Sequence, residues 1–261
     1  MRVVSLLYHD VVQARDFESS GFPGADAAIY KLELSEFEEH IAAIHEVIDR
    51  PATVRELAHL NGRPTLLTFD DGGSSAHEHI ADLLDRHDWR AHFFVTTDWI
   101  GQRGFLSPTQ IRDLRTRGHV IGSHSCSHPP RMSHCSRNEL RREWTNSIAV
   151  LSDILSETVD TASVPGGYYR RNVAEAAAEA GIRTLFTSEP RTSSQVVNGC
   201  LVFGRFTIQQ GVPAVTAAAI AAGSATNRFQ QFAYWNIKKI AKVAGGTRWL
   251  LMRKWLLAKH S

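Results

Sequence analysis

Pro64-Thr65-Leu66-Leu67-Thr68-Phe69-Asp70-Asp71-Gly72 decides how the 261-residue chain is read. Six residues make a short apolar run, and two carboxylates and a glycine follow at once. Such a run is a buried strand when turn residues bound it, and Asp-Asp-Gly by itself is a common turn. A second stretch behaves alike: His119-Val120-Ile121-Gly122-Ser123 leads into His124-Ser125-Cys126-Ser127-His128. In both, chemistry-bearing side chains stand where a strand ends and a loop begins.

Outward from these two, strand and helix alternate. The run 3–8 ends in His9-Asp10. Ser35 with Glu38 makes a capping-box pattern that predicts a helix to about residue 49. Residues 91–96 read as a strand. Ser107 with Gln110 opens the next helix, with Pro108 at its first position, and Ser136 with Glu139 opens a long one to about residue 155. A strand at 162–164 runs into Pro165-Gly166-Gly167, a helix over 172–180 stops at Gly181, and strands at 184–187 and 200–208 follow. This order predicts an α/β parallel sheet or barrel. In a (β/α) barrel the site lies at the C-terminal ends of the strands.

Composition narrows the classes. At 43% hydrophobic and 21% charged residues, the chain is a folded globular protein. No apolar run approaches the roughly 18 residues needed to cross a bilayer. The N-terminus lacks a small-residue cleavage site and reads as a first strand, not a signal peptide. Cys126, Cys135 and Cys200 form no disulfide framework, which fits a reducing, cytoplasmic compartment. The net charge of +2 conceals a split. Residues 1–189 hold 19 basic and 27 acidic side chains, a net of −8, whereas 190–261 hold 10 basic and no acidic ones. A basic end on an acidic body points to an anionic partner.

One carboxylate and two imidazoles four residues apart can supply three ligands of a zinc-type centre and leave a position open for water. The metal lowers the pKa of that water and polarises a carbonyl, and the second carboxylate of the Asp pair can act as general base. The bland alternatives are a turn for Asp-Asp-Gly and two exposed helical histidines. Shared placement at strand ends favours the site.

Thr68-Phe69-Asp70-Asp71-Gly72 with His124-Ser125-x-x-His128 resembles the polysaccharide deacetylases that carry the NodB homology domain, carbohydrate esterase family 4, over roughly residues 3–208. The resemblance implies a distorted (β/α)7 barrel. It implies Asp70 as general base and Asp71, His124 and His128 as ligands of a divalent metal, zinc first, with cobalt, nickel or manganese as alternatives. The implied reaction is hydrolysis of an N-acetyl group on an amino sugar. Two departures stand out. Ser163-Val164-Pro165-Gly166 replaces the family's Arg-x-Pro-aromatic, so the arginine that orients the base is missing and Arg191 or Arg205 is left as a stand-in. The Gly166 N–H can still hold the oxyanion. The late Leu-x-His is absent too, since no histidine lies between His134 and His260. His9 is similar to the first-strand catalytic histidine of the circularly permuted poly-N-acetylglucosamine deacetylase branch, which implies a general acid. A buried structural histidine is the other reading.

Tyr168-Tyr169 and Trp99 either stack on a sugar face or pack internally. His77-Glu78-His79 reads as exposed. Residues 1–226 are expected to form the barrel, with an Ala-rich helix in 211–226 packed on it, and 227–261 a basic C-terminal helical extension. There Ile237, Ile240 and Val243 interleave with Lys238, Lys239 and Lys242, and Trp249 and Trp255 stand beside Arg248, Arg253 and Lys254. That suits an amphipathic helix at an anionic membrane surface, or one that closes the barrel. No nucleic-acid motif accompanies the charge. The expected activity is removal of N-acetyl groups from a glycan or lipid-linked saccharide in exopolysaccharide or cell-envelope biosynthesis, at the inner membrane face. The alternatives are a catalytically inactive glycan-binding protein and a metal-dependent hydrolase of another amide or imide.

Overall fold

Parallel strands covered on both faces carry apolar residues throughout, and five-residue runs such as Thr65-Leu66-Leu67-Thr68-Phe69 are buried at every position. The computed structural model describes residues 1–226; the expected extension at 227–261 lies outside the described residues. In chain order the strands are β1 (Val4–Tyr8), β2 (Val11–Val12), β3 (Leu32–Glu33), β4 (Thr65–Phe69), β5 (His92–Val95), β6 (Val120–Ser123), β7 (Thr161–Ser163), β8 (Thr184–Phe186), β9 (Gln195–Val197), β10 (Cys200–Phe203) and β11 (Phe206–Thr207). The helices are α1 (Ala25–Ala28), α2 (Leu34–His45), α3 (Ala81–Arg86), α4 (Pro108–Thr116), α5 (Arg137–Leu155), α6 (Arg171–Glu179) and α7 (Ala214–Ala221).

One sheet runs β11-β1-β4-β5-β6-β7-β8-β10-β9. Its two ends meet through a single stretch of chain. β10 pairs in parallel with β8, and after only Gly204 and Arg205 the chain resumes as β11, parallel to β1. The segment from Cys200 to Thr207 therefore bridges first and last strands, giving seven strand positions around a ring. This is the distorted (β/α)7 barrel, and the distortion is the break at Gly204-Arg205. Antiparallel β9 adds an edge beside β10, and β2 pairs with β3 in a separate two-stranded ribbon. Neither feature was read from the sequence, because two- and three-residue pairings carry no periodicity.

Register matters more than strand count. Tyr8 pairs with Phe69, Phe69 with Phe93, Val95 with Ser123, and Ser123 with Ala162. Neighbouring strands end nearly level, so His9, Asp70, His124 and Ser163 emerge side by side on one rim.

Two of the three predicted capping boxes form, Ser107 with Gln110 and Ser136 with Glu139. The third does not. β3 feeds directly into α2, which begins at Leu34 with Glu33 as an extended N-cap, so Ser35 falls inside the first turn. Pairing with β2 fixes where the chain enters this helix, a tertiary constraint that overrides the local signal. The helix also ends at His45, short of residue 49. α7 packs its Ala217, Ala218 and Ile220 into the core cluster that holds Phe37, Ile41 and Val4, which fulfils the Ala-rich-helix expectation. Among the described residues no helix is long and apolar enough to cross a membrane.

The close approach at Gly204 gives a test of barrel closure. A Cβ there would overlap the carbonyl oxygens of Glu189 and Arg191. Gly204→Ala is expected to lower the unfolding free energy by about 1–3 kcal/mol, measured by denaturant titration. Gly199→Ala, where a Cβ meets no atom within 4 Å but φ is +84°, isolates the smaller cost of backbone strain alone.

Candidate active site

The site starts from a strained turn. Just past β4, Asp71 and Gly72 both take positive φ, 77° and 81°. Asp tolerates the left-handed region better than most residues, and Gly72 is required because a Cβ would press on the Val95 backbone at 3.0 Å. The turn sends the two carboxylates in different directions.

Asp70 faces the barrel axis, where Arg205 clamps it. Arg205 Nη1 and Nη2 each donate to one carboxylate oxygen at 2.7 Å, and both side chains are almost wholly buried. Arg205 Nε donates to Thr187 O at 3.1 Å, and its guanidinium lies over the Phe94 and Phe186 rings. Of the two arginines considered as stand-ins, Arg205 reaches Asp70. Arg191 instead lies near Glu189, at 3.5 Å. Burial alone would raise the Asp70 pKa, but the charges of Arg205 and His124 outweigh it and hold the carboxyl below its ordinary value.

Asp71 faces outward to the histidine loop. His124 Nε2 lies 3.4 Å and His128 Nε2 3.5 Å from the same oxygen, Asp71 Oδ1. One ligand atom from each of the three residues falls within 4.8 Å of the others, the one such cluster among the described residues. Ligands at zinc distances of about 2.0–2.1 Å in a tetrahedron stand about 3.3 Å apart, so the donor set and its spacing fit a divalent cation. Burial opposes ionisation of Asp71, yet hydrogen bonding to His124 and His128 holds it well below the usual carboxylate range. His128 is raised for the complementary reason: Asp71 outweighs the burial that would lower it.

Ser163 joins the two halves. His124 Nδ1 lies 2.6 Å from Ser163 Oγ, which donates to Asp70 Oδ1 at 3.0 Å. An ionised carboxylate only accepts, so the single hydroxyl proton goes to Asp70 and the serine oxygen accepts from Nδ1–H of His124. With Nδ1 committed to Ser163, Nε2, the atom facing Asp71, is the ring nitrogen left to hold a cation.

His9 follows β1, half-buried, with its ring 4.7 Å from that of Tyr30. Burial lowers its pKa, while Asp71 and Asp70 pull the other way, so it lies within the field of both carboxylates. Its Nδ1 has no hydrogen-bond partner in the protein. Gly166 sits in a tight 3-10 turn over Pro165–Gly167, with φ 67°, and a Cβ there would meet Pro130 O at 2.9 Å. The turn thus rests against the end of the histidine loop. Tyr168 lies on that rim, half-buried, under the Arg131 guanidinium at 5.4 Å. Tyr169 packs into the second core cluster. His77 pairs with Asp113 at 3.0 Å, away from the site. Cys126 turns its thiol to Thr97, not to the metal cluster.

Several neighbours were not singled out from the sequence. Phe22 and Phe105 form an aromatic group with Trp99, the residue the sequence did single out, and the Phe22 ring lies 4.7 Å from His128. Asp10, adjacent to His9, accepts from Ser20 at 2.6 Å and Ser75 at 2.8 Å, and burial pushes it up to about 6. An Asp next to a candidate histidine was the one available signal, and it did not distinguish a buried anchor from an exposed turn.

Fold and rim define a (β/α) barrel with a buried carboxylate beside a three-residue cluster whose donor set could hold a metal ion. Residues 58–185, just under half of the chain, match the polysaccharide deacetylase family. A Bacillus subtilis protein, YxkH, named as a polysaccharide deacetylase, is 23% identical over 167 residues, 61% of this chain and 60% of that protein. The Listeria monocytogenes peptidoglycan-N-acetylglucosamine deacetylase PgdA is 32% identical over 110 residues, 42% of this chain and 22% of that protein. The chain thus spans less than two thirds of the length of these relatives. Among solved structures, the Streptococcus pyogenes deacetylase PplD in complex with acetate shares the fold, with a TM-score of 0.69 and 17% identity, over 89% of this chain and 98% of that one.

Removing Arg205 leaves a buried carboxylate unpaired. Arg205→Leu is expected to cost about 3–5 kcal/mol at neutral pH, read by denaturant unfolding. Asp70 has a depressed pKa in the folded chain, so its contribution to stability is present above the unfolded value of 3.8 and is lost as pH falls through the lower folded one. In the variant the carboxyl protonates more easily. The gap between variant and parent should therefore narrow below about pH 4; a gap constant from pH 7 to 3 would refute the pairing.

Proposed function

We propose that the protein is a metal-dependent N-deacetylase that hydrolyses N-acetyl groups of amino sugars in a glycan. The observation that carries this reading is the buried Arg205–Asp70 pair set beside the Asp71, His124 and His128 cluster. Asp71, His124 Nε2 and His128 Nε2 would hold a divalent cation, zinc first. When bound, such an ion supplies Lewis-acid polarisation of the acetamide carbonyl and lowers the pKa of water. Asp70, kept ionised by Arg205, takes the proton of the attacking water. Arg205 grips both carboxylate oxygens through a forked donor and so aims the base. The Gly166 N–H offers a dipole to the developing oxyanion without reorganisation at the moment of reaction. His9, on the strand next to Asp70, delivers a proton to the leaving amine; burial makes its imidazolium a stronger acid than a free one. Tyr168 with Arg131 offers a rim for the saccharide.

The family supports a glycan as substrate class. A cytoplasmic location and a lipid-linked saccharide at the inner membrane face remain part of this proposal, motivated by the ten basic and no acidic residues after Glu189. We place the barrel within 1–226 and membrane contact in 227–261.

Asp70→Asn is expected to reduce acetate release from an N-acetylglucosamine oligomer by about 100-fold or more while bound metal is unchanged. Undiminished release from a folded, metal-loaded variant would overturn the role of Asp70. His9→Ala should lower the rate by a comparable factor, most strongly for poor leaving groups. A chain ending at Thr226 should lose sedimentation with anionic vesicles and keep acetate release from a soluble oligomer. Equal sedimentation of both chains would remove the anchoring role.

A further inference from the structure

The two histidine ligands sit on a strained loop that one internal hydrogen bond, from the His128 N–H to Ser125 Oγ at 3.2 Å, helps to hold. Between His124 and His128 the chain must turn sharply enough to bring both Nε2 atoms to one oxygen of Asp71. It does so with two non-glycine residues at positive φ, Ser125 at 66° and His128 at 57°. Each such residue carries a strain of about 1 kcal/mol or more, and neither is Asn or Gly. The turn therefore needs restraint from outside.

Restraint arrives from two sides. The carbonyl oxygens of Ser125 and Cys126 accept the N–H groups of Thr97 and Asp98, at 3.2 and 3.1 Å, from the segment after β5. From the other side comes one side chain of α5. Glu143 Oε2 accepts the Cys126 N–H at 2.9 Å and the Ser127 N–H at 3.0 Å, and Oε1 accepts the Ser127 hydroxyl at 2.7 Å. Three donors converge on one carboxylate, which is acceptor-only and can take them all. One turn further along the helix, buried Ser147 meets Ser123 Oγ at 2.6 Å, and Ser123 Oγ in turn accepts the Ser125 N–H at 3.0 Å. Positions 143 and 147 lie on the same helix face, so α5 grips the loop at two points four residues apart.

We propose that Glu143 is a positioning residue that pre-sets the His124–His128 loop for metal binding. It touches neither ligand atom. It acts through the Cys126 and Ser127 amides, fixing the strained turn that directs His128 to Asp71. This rests on Asp71, His124 and His128 being metal ligands. A loop free to relax would present its imidazoles over a range of positions and would lose affinity for the ion before it lost the fold.

The test is zinc affinity of the full chain, measured by competition with a chromophoric chelator on metal-free protein. Glu143→Leu should raise the Kd for Zn²⁺ about 10–100-fold. Glu143→Gln keeps one carbonyl oxygen for the two amides, and its NH₂ can still face the Ser127 hydroxyl, so it should fall between parent and Glu143→Leu. The unfolding midpoint of metal-free Glu143→Gln should match the parent, and its acetate release should recover with saturating Zn²⁺. A folded Glu143→Leu variant with the parental Kd would overturn the proposal. If Glu143→Leu does not fold, a parental Kd in Glu143→Gln together with a lowered metal-free midpoint would overturn it, since Glu143 would then serve stability alone. Absence of Zn²⁺ binding by the parent would instead overturn the assignment of the ligands, a separate failure.

Discussion

The buried ion pair between Asp70 and Arg205 is the constraint on which the rest of the structure depends. Two opposite charges sit at the centre of a barrel whose walls are Phe94, Phe186 and the strands around them. Taking both out of water costs several kcal/mol per ion, and only near-ideal geometry offsets it. The bidentate fork supplies that geometry. It also ties the last strand of the barrel to an early one, since Arg205 occupies the break between β10 and β11 and Asp70 stands at the end of β4. Closing the ring and orienting the Asp70 carboxylate are the same structural event.

A second consequence concerns protonation. The Asp70 carboxylate is kept ionised although buried, and it fixes the hydroxyl of Ser163, which fixes the proton of His124. Asp70 and the ring proton of His124 are therefore linked through one serine. At position 163 a neutral hydroxyl meets Asp70, and the positive charge on that carboxylate comes from Arg205, between β10 and β11.

Strain at Asp71, Ser125 and His128 is concentrated at the rim, where strand register has already aligned the chain ends. Strands β1, β4, β5, β6 and β7 and the core clusters beneath are buried, so they can hold a few unfavourable backbone conformations without yielding. Much of this was legible in the sequence. The strand ends at Phe69 and Ser123, the capping boxes at Ser107 and Ser136, and the identity of the chemistry-bearing residues after each strand all follow from local pattern. The short ribbon of β2 with β3, the edge strand β9 and the start of α2 were not, because pairings of two or three residues leave no period to detect.

By itself the sequence determined the alternation of strand and helix, the carboxylate and imidazole types of the rim cluster, and their position at strand ends. These depend on neighbours within about ten residues, where hydrophobic spacing and turn chemistry act directly. Tertiary structure alone decided which arginine reaches Asp70, that the last strand is shared between two partners, and that Glu143 holds the histidine loop. The Arg205–Asp70 contact spans 135 residues of chain. No local pattern encodes such a distance; it is set by closure of the barrel, whose geometry leaves one cationic side chain facing one buried carboxylate.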